Sequence, residues 1–152
     1  MNELLMERVS LSLSEEQHAW LNAHSDHPMT EGYIFSRVFQ NHDSLAAFLS
    51  ELSAVFPTVA QPSARWLTRY DETWFADQSL LVMFSEERSG SSRLQLHQAC
   101  VEGTRADLII SRTRGLTMDM AYLFLFHALR GHEVCSSSVR IEENRQAEAV
   151  LF

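Results

Sequence analysis

The chain has 152 residues, 45% of them hydrophobic, which predicts one domain spanning 1–152 with a sizeable core. Its formal net charge of −8 disfavours nucleic acid as a partner. The chain contains 12 arginines and no lysine. No apolar run approaches the ~18 residues of a membrane span. The N-terminus lacks the basic and apolar regions of a signal peptide, so a cytoplasmic protein without membrane contact is expected.

The first part of the chain alternates between helical and extended patterns. A Ser-x-x-Gln capping box predicts a short helix over 14–24. Alternating aromatic and aliphatic residues predict a strand over 33–40. Apolar residues at helical spacing then predict an amphipathic helix over 44–56, capped by Asp43 or Ser44 and ended by the proline that follows.

Short alternating segments predict further strands, at 64–70, 77–85, 93–101 and 134–141. The polar segment 86–92 is predicted to be the tip of a hairpin. The last segment, 142–152, is ambiguous between a helix and an edge strand.

The stretch 104–131 is the most apolar part of the sequence, and we expect the rest of the chain to pack around it. The run 108–110 predicts a buried strand. A turn with a positive φ at Gly115 is expected to lead into a nearly all-apolar helix over 117–130, which Gly131 ends. The fold class predicted is α+β, a single lobe with a mixed sheet of about five strands packed with two to three helices.

Seven histidines suggest metal or catalytic chemistry, but their spacing does not support it. His18, His24 and His27 lie near Asp26 without the spacing of a ligand motif, so we interpret them as solvated loop residues. His127 falls within the apolar run and is interpreted as a core or interface residue.

The remaining reactive side chains also favour ordinary structural roles. Cys100 and Cys135 lack CxxC spacing and are expected to be free thiols. Acidic pairs such as Glu86-Glu87 fall on predicted surface turns, where such pairs are usually solvated. The sequence has no nucleophile elbow and no Gly-rich phosphate loop, so no cofactor and no metal are expected.

The arginines around the buried strand form the main candidate binding site. Arg105, Arg112 and Arg114 flank a strand that is predicted to end at a helix N-terminus, where guanidinium and backbone N–H groups hold phosphate or carboxylate. Asp119 lies one turn into that helix and completes the candidate set. The alternative is that these arginines keep a turn soluble and pair with Asp107 or Asp119.

The order of elements resembles the N-terminal lobe of the condensation domains of nonribosomal peptide synthetases, which have a chloramphenicol acetyltransferase-like fold. Residues 13–17 (LSEEQ) stand where that family has a Ser-x-Ala-Gln type motif, and an aromatic strand over 33–39 follows. The amphipathic helix ends in Val-Phe-Pro at 55–57, without the Leu-Arg pair of the family's motif. The resemblance covers most of this chain but only half of such a domain.

The family's H-H-x-x-x-D-G motif corresponds to residues 114–120 (RGLTMDM). Only the acid is kept, as Asp119. Arg114 replaces the first histidine and Gly115 the second, which in the family is tied to acyl transfer. Met120 replaces the final glycine. The resemblance therefore implies that this lobe has no general base at the motif.

Three functions follow from these observations. The first, which we favour, is a non-catalytic binding or adaptor protein of natural product biosynthesis that recognises a carrier protein or synthetase and forms a homo-oligomer. The second is an acidic secretion chaperone or a toxin-neutralising protein. The third is an acyltransferase assembled as a homodimer, with His127 or His97 as its base.

Overall fold

A computed structural model of the chain describes residues 4–26 and 32–143. These residues form seven strands and three α-helices in an α+β arrangement, which confirms the predicted class. In chain order the elements are β1 (Leu4–Val9), α1 (Glu15–His24), β2 (Ile34–Phe39), α2 (His42–Val55), α3 (Ala60–Arg69), β3 (Gln78–Glu87), β4 (Arg93–Glu102), β5 (Arg105–Thr113), β6 (Ala121–Arg130) and β7 (Ser136–Glu143). Among the helices described, none is long and apolar enough to cross a membrane.

The elements form three layers: helices, a four-stranded sheet and a three-stranded sheet. The four-stranded sheet is antiparallel with the order β1-β6-β3-β2. Its aromatic face, with Phe84 and Phe124, packs against the helices through Trp66. Its aliphatic face packs on the three-stranded sheet, whose order is β4-β5-β7 with β5 and β7 parallel. The four-stranded sheet is therefore covered on both faces.

The prediction of a helix over 117–130 is wrong, because residues 121–130 form β6 at the centre of the four-stranded sheet. A strand with two buried faces is apolar at nearly every position, and it cannot be told from a buried helix by hydrophobicity alone. Gly131 ends the strand with a φ of 77°, and its N–H donates to the carbonyl of Asp77 at 2.9 Å.

The observed helices and sheets correct two further predictions. Residues 64–70 lie mostly in the helix α3, where the alternating pattern reflects Trp66 and Tyr70 pointing into the core. The segment 86–92 is not a hairpin tip, because β3 and β4 belong to different sheets. The sheet of about five strands is thus two sheets of four and three strands among the described residues.

Most of the other predicted elements are confirmed. The capping box of α1 is present, with the Gln17 backbone N–H donating to Ser14 Oγ at 3.2 Å. The helix α2 begins earlier than expected, because Asn41 rather than Asp43 or Ser44 accepts the capping hydrogen bond. Strands occupy the predicted segments 33–40, 77–85, 93–101 and 134–141. Of the ambiguous tail, residues 142–143 end β7 and residues 144–152 lie outside the described ranges.

Candidate functional site

Polar side chains concentrate at one end of the four-stranded sheet, where β3 ends and β6 begins. Successive side chains on a strand point to opposite faces. Glu86 therefore lies on the helix face, directly across from Tyr122 on β6. Glu87 lies on the face covered by the three-stranded sheet, where it meets Arg112. The loop 114–120, which joins β5 to β6, lies between these two environments.

Glu87 belongs to a buried ion-pair network between the sheets. The carboxylate is 2% exposed and accepts from Arg112 Nε at 2.8 Å and from Arg112 Nη2 at 2.7 Å. The Ser85 hydroxyl donates to the same carboxylate at 2.5 Å. Glu143 on β7 accepts from Arg112 Nη1 at 3.1 Å and from Arg114 Nη2 at 2.8 Å. The network therefore links β3 of one sheet to β5 and β7 of the other.

The electrostatics of this network favour its charged form. Burial lowers the pKa of Arg112, but Glu87 and Glu143 more than offset this effect and hold the pKa above its ordinary value. Burial likewise raises the pKa of Glu143, but hydrogen bonds from Arg114 and Arg112 hold it below its ordinary value. Charge-assisted hydrogen bonds thus outweigh desolvation at both groups.

A small cavity of about 200 Å³ lies beside the network and is lined by two of the arginines expected to bind an anion. Arg112 and Arg114 line it, together with Glu87 and Met118. An anion in the cavity would have to compete with Glu87 and Glu143, which already accept from these guanidinium groups. Anion binding there stays a prediction.

The structure separates the other two predicted binding residues from this pair. Arg105 lies at the opposite end of β5, with its Nε donating to Asp107 at 2.7 Å, one of the two pairings considered from the sequence. Asp119 lies in the loop 114–120 and pairs with Arg8 of β1 at 3.2 Å. The strand β6 follows this loop directly, so the helix N-terminus expected there to help hold an anion does not exist.

The loop 114–120 is held in place by hydrogen bonds to the segment that follows β3. The Thr117 hydroxyl lies 2.6 Å from Ser89 Oγ and 3.1 Å from Ser91 Oγ. The Gly90 N–H donates to the Asp119 carbonyl at 2.8 Å. The Thr117 hydroxyl therefore joins two loops.

Gly115 is required by close packing rather than by a positive φ, which corrects the expectation from the sequence. The glycines with positive φ in the described residues are Gly32, Gly103 and Gly131. A Cβ on Gly115 would overlap the side-chain oxygen of Ser91, so a larger residue would push the loop away from its support.

The braced loop exposes three large apolar side chains. Met118 is 97% exposed, Leu116 is 81% exposed and Met120 is 49% exposed. Hydrophobic side chains in a run on one loop form a more concentrated apolar surface than isolated exposed residues do.

An open groove of about 560 Å³ lies on the helix side of the loop, and we call it the Glu86 groove. Glu86 and Tyr122 line it from the sheet, His18 lines it from α1, and Tyr33 lines it just before β2. His18 Nδ1 lies 3.2 Å from the Tyr33 hydroxyl. Asn22, Met120, Leu13 and Gly32 complete the lining.

Burial has the largest effect on the pKa values of Glu86 and Tyr122, two of the groove residues. It raises the pKa of Glu86, an effect that His18 and the Tyr122 hydroxyl offset only in part. Burial also raises the pKa of Tyr122, and the negative charge of Glu86 adds to this shift. A partly buried carboxylate with a perturbed pKa in a concave site is a common feature of functional sites.

The sequence did not single out the groove residues as a site. Glu86 and Glu87 were interpreted as solvated turn residues, and this is wrong because both belong to β3 and Glu87 is buried. The continuous apolar run over 80–84 was the available signal, because it predicts a strand with two buried faces. Continuing that strand through Glu86 and Glu87 assigns the two acids to opposite faces. His18 and His24 lie in α1 rather than in a loop, which corrects their interpretation as loop residues. His18 lines the groove, whereas His24 Nδ1 lies 2.8 Å from the Trp20 carbonyl oxygen.

The other candidate reactive groups lie elsewhere. His127 is 1% exposed on β6, and neither it nor His97 lines the groove or the small cavity. Cys100 and Cys135 are free and exposed, as expected. Within residues 4–26 and 32–143, no three His, Cys, Asp or Glu side chains come together as a metal site. His27 lies outside the described ranges.

No family model, curated protein or solved structure matches the chain. The resemblance to condensation domains therefore stays a prediction.

Proposed function

We propose that the protein is a non-catalytic binding protein that recognises a protein partner through the loop 114–120. One observation carries the proposal: a hydrogen-bonded loop that presents Leu116 and Met118 almost fully to water. Exposed apolar groups in close sequence mark contact surfaces in soluble proteins. Methionine side chains adapt to varied partner surfaces because they are unbranched and polarizable.

The hydrogen bonds that hold the loop in place support binding by a preorganised surface. The Thr117 hydroxyl and the Asp119 carbonyl fix the loop at two points between its exposed side chains. A loop that is already ordered loses less conformational entropy on binding than a flexible one. The resemblance to condensation domains suggests a carrier protein or a synthetase as the partner, and a second copy of the chain is the other candidate.

Site-specific photo-crosslinking in cells of the source organism tests this proposal. A photoreactive residue at position 118 should give one defined adduct, because this position lies in the contact. The same residue at position 101 is the matched control, since Val101 is 54% exposed on β4 and outside the loop.

The adduct at 118 should disappear when Leu116→Ser is added, and a homodimer would give an adduct of twice the mass of the chain. Equal labelling at 118 and 101, or an adduct that survives Leu116→Ser in a folded protein, would contradict the proposal.

A further inference from the structure

The Glu86 carboxylate forms no ion pair among the described residues, although the acids around it do. His18 and Arg88 lower its pKa electrostatically without pairing with it. Glu87 and Glu143 pair with Arg112, and Asp119 pairs with Arg8. In the described ranges, no arginine or histidine nitrogen forms an ion pair with Glu86, although this side chain is partly buried. Partly burying a carboxylate costs free energy, and the hydrogen bonds from Tyr122 and the Tyr33 N–H offset this cost only in part. A cation bound in the groove would reduce it further.

The groove has the polar groups that an ammonium ion needs. An ammonium has three N–H donors and no acceptor. Glu86, Tyr122 and Asn22 line the same groove, and each has a side-chain oxygen that is able to accept a hydrogen bond. Tyr33 and Tyr122 also line the groove, and aromatic rings attract cations.

The groove also has an apolar side that suits an alkyl stem. Leu13 and Met120 line it, and Met120 belongs to the loop 114–120. A lysine side chain has a compact charge on a four-carbon stem, so its stem would contact these residues while its charge reaches Glu86. The net charge of −8 favours the approach of a cationic group.

We propose that the Glu86 groove binds the ammonium group of a lysine side chain of the partner protein, beside the apolar contact made by the loop. This inference rests on the proposed function for the identity of the partner. The chemistry of the groove is independent of it, because an alkylammonium ion alone has the charge and the stem.

Titration of the protein with n-butylammonium, followed by NMR, tests the chemistry directly. We expect saturable shifts of the Tyr33 and Tyr122 ring signals and the Met120 methyl signal at millimolar concentration. n-Butanol, which has the same stem without the charge, should not produce them. Equal shifts with both probes, or no saturation by n-butylammonium at tens of millimolar, would overturn the inference.

Glu86→Gln should weaken n-butylammonium binding by at least about tenfold, because glutamine keeps the shape of the side chain but removes its negative charge. Glu51→Gln is the matched control, since it removes an equal charge from an exposed position on α2 and should leave binding unchanged. Equal binding by the Glu86→Gln variant and the wild type would overturn the inference.

The two proposals fail separately. If the crosslink at 118 fails while n-butylammonium binds, the partner proposal is wrong and the groove is a site for free amines. If the crosslink identifies a partner but n-butylammonium does not bind, only the lysine inference is wrong. When both hold, n-butylammonium should compete with the partner, and Glu86→Gln should weaken the complex.

Discussion

Glu86 and Glu87 are neighbours on β3, but they lie on opposite faces of the sheet and in opposite electrostatic environments. Glu87 is 2% exposed and accepts two hydrogen bonds from Arg112. Glu86 lies in an open groove with two tyrosines and forms no ion pair within the described residues. At this end of the fold, one face of the sheet therefore has a carboxylate inside a buried ion-pair network, and the other has a partly buried carboxylate that borders an open groove.

Charge reversal of the arginine pair should have the largest effect on this comparison. Arg112→Glu with Arg114→Glu places new carboxylates against Glu87 and Glu143, with the first of them buried. We expect a loss of more than about 4 kcal/mol, and therefore no cooperative unfolding transition in urea at 25 °C. Glu86→Gln should keep a cooperative transition. A well-folded double variant would contradict a structural role for the network.

Removal of the Glu87 charge alone should have the next largest effect. Glu87→Gln leaves the buried Arg112 guanidinium with Glu143 as its remaining carboxylate partner, so we expect a loss of about 3 kcal/mol in the free energy of unfolding. Urea denaturation measures it, with Glu86→Gln changing the value by at most about 1 kcal/mol.

The apolar double variant Glu87→Leu with Arg112→Met sharpens this test. A buried ion pair is often replaceable by apolar residues at little cost, whereas a buried charge without its partner is not. The double variant should therefore be more stable than Glu87→Gln. If it is less stable, the network does more than neutralise its own charges.

The pH dependence of stability should show the smallest effect, with opposite signs at two carboxylates. The raised pKa of Glu86 means that its contribution to stability is fully present at low pH and is lost as pH rises through that pKa. Glu86→Gln should therefore gain stability relative to the wild type between about pH 4 and pH 7.

The lowered pKa of Glu143 has the opposite consequence. Its contribution is present above the unfolded-state pKa and is lost as pH falls through the folded-state value, so Glu143→Gln should be less stable than the wild type at pH 7 and approach it in acid. Each difference should be at most about 1 kcal/mol, since both groups are partly solvated. Urea titrations at several pH values measure both. The stability difference between variant and wild type should change with pH in opposite directions for the two variants. A change in the same direction would contradict the assigned environments.

The sequence predicted the elements with one buried face better than those with two. The helix α2 and the strand β2 have clear periodicities because each meets solvent on one side. The central strand β6 was mistaken for a helix because it is buried on both faces. A finer signal was present: aromatic residues at 122, 124 and 126 alternate with leucines at 123 and 125, and the two sets face different cores.

The helix α3 was mistaken for a strand for a different reason. A proline usually interrupts a helix, yet Pro62 lies in the first turn of α3, where a missing N–H costs nothing. The site was harder still to predict. Glu86, Tyr122 and His18 come from three separate elements, and a single sequence contains no information on distances between elements that do not follow one another.

The strand order has a consequence for how the chain acquires its shape. β1 is synthesised well before its partner β6, since Leu4 pairs with His127, and β6 also pairs with β3, which lies between them in the chain. Closing so long a loop must precede the contacts that compensate for its entropy, which slows folding. On the ribosome, β2 and β3 are able to pair early, while the opposite edge of β3 stays open until the leucines and phenylalanines of β6 emerge.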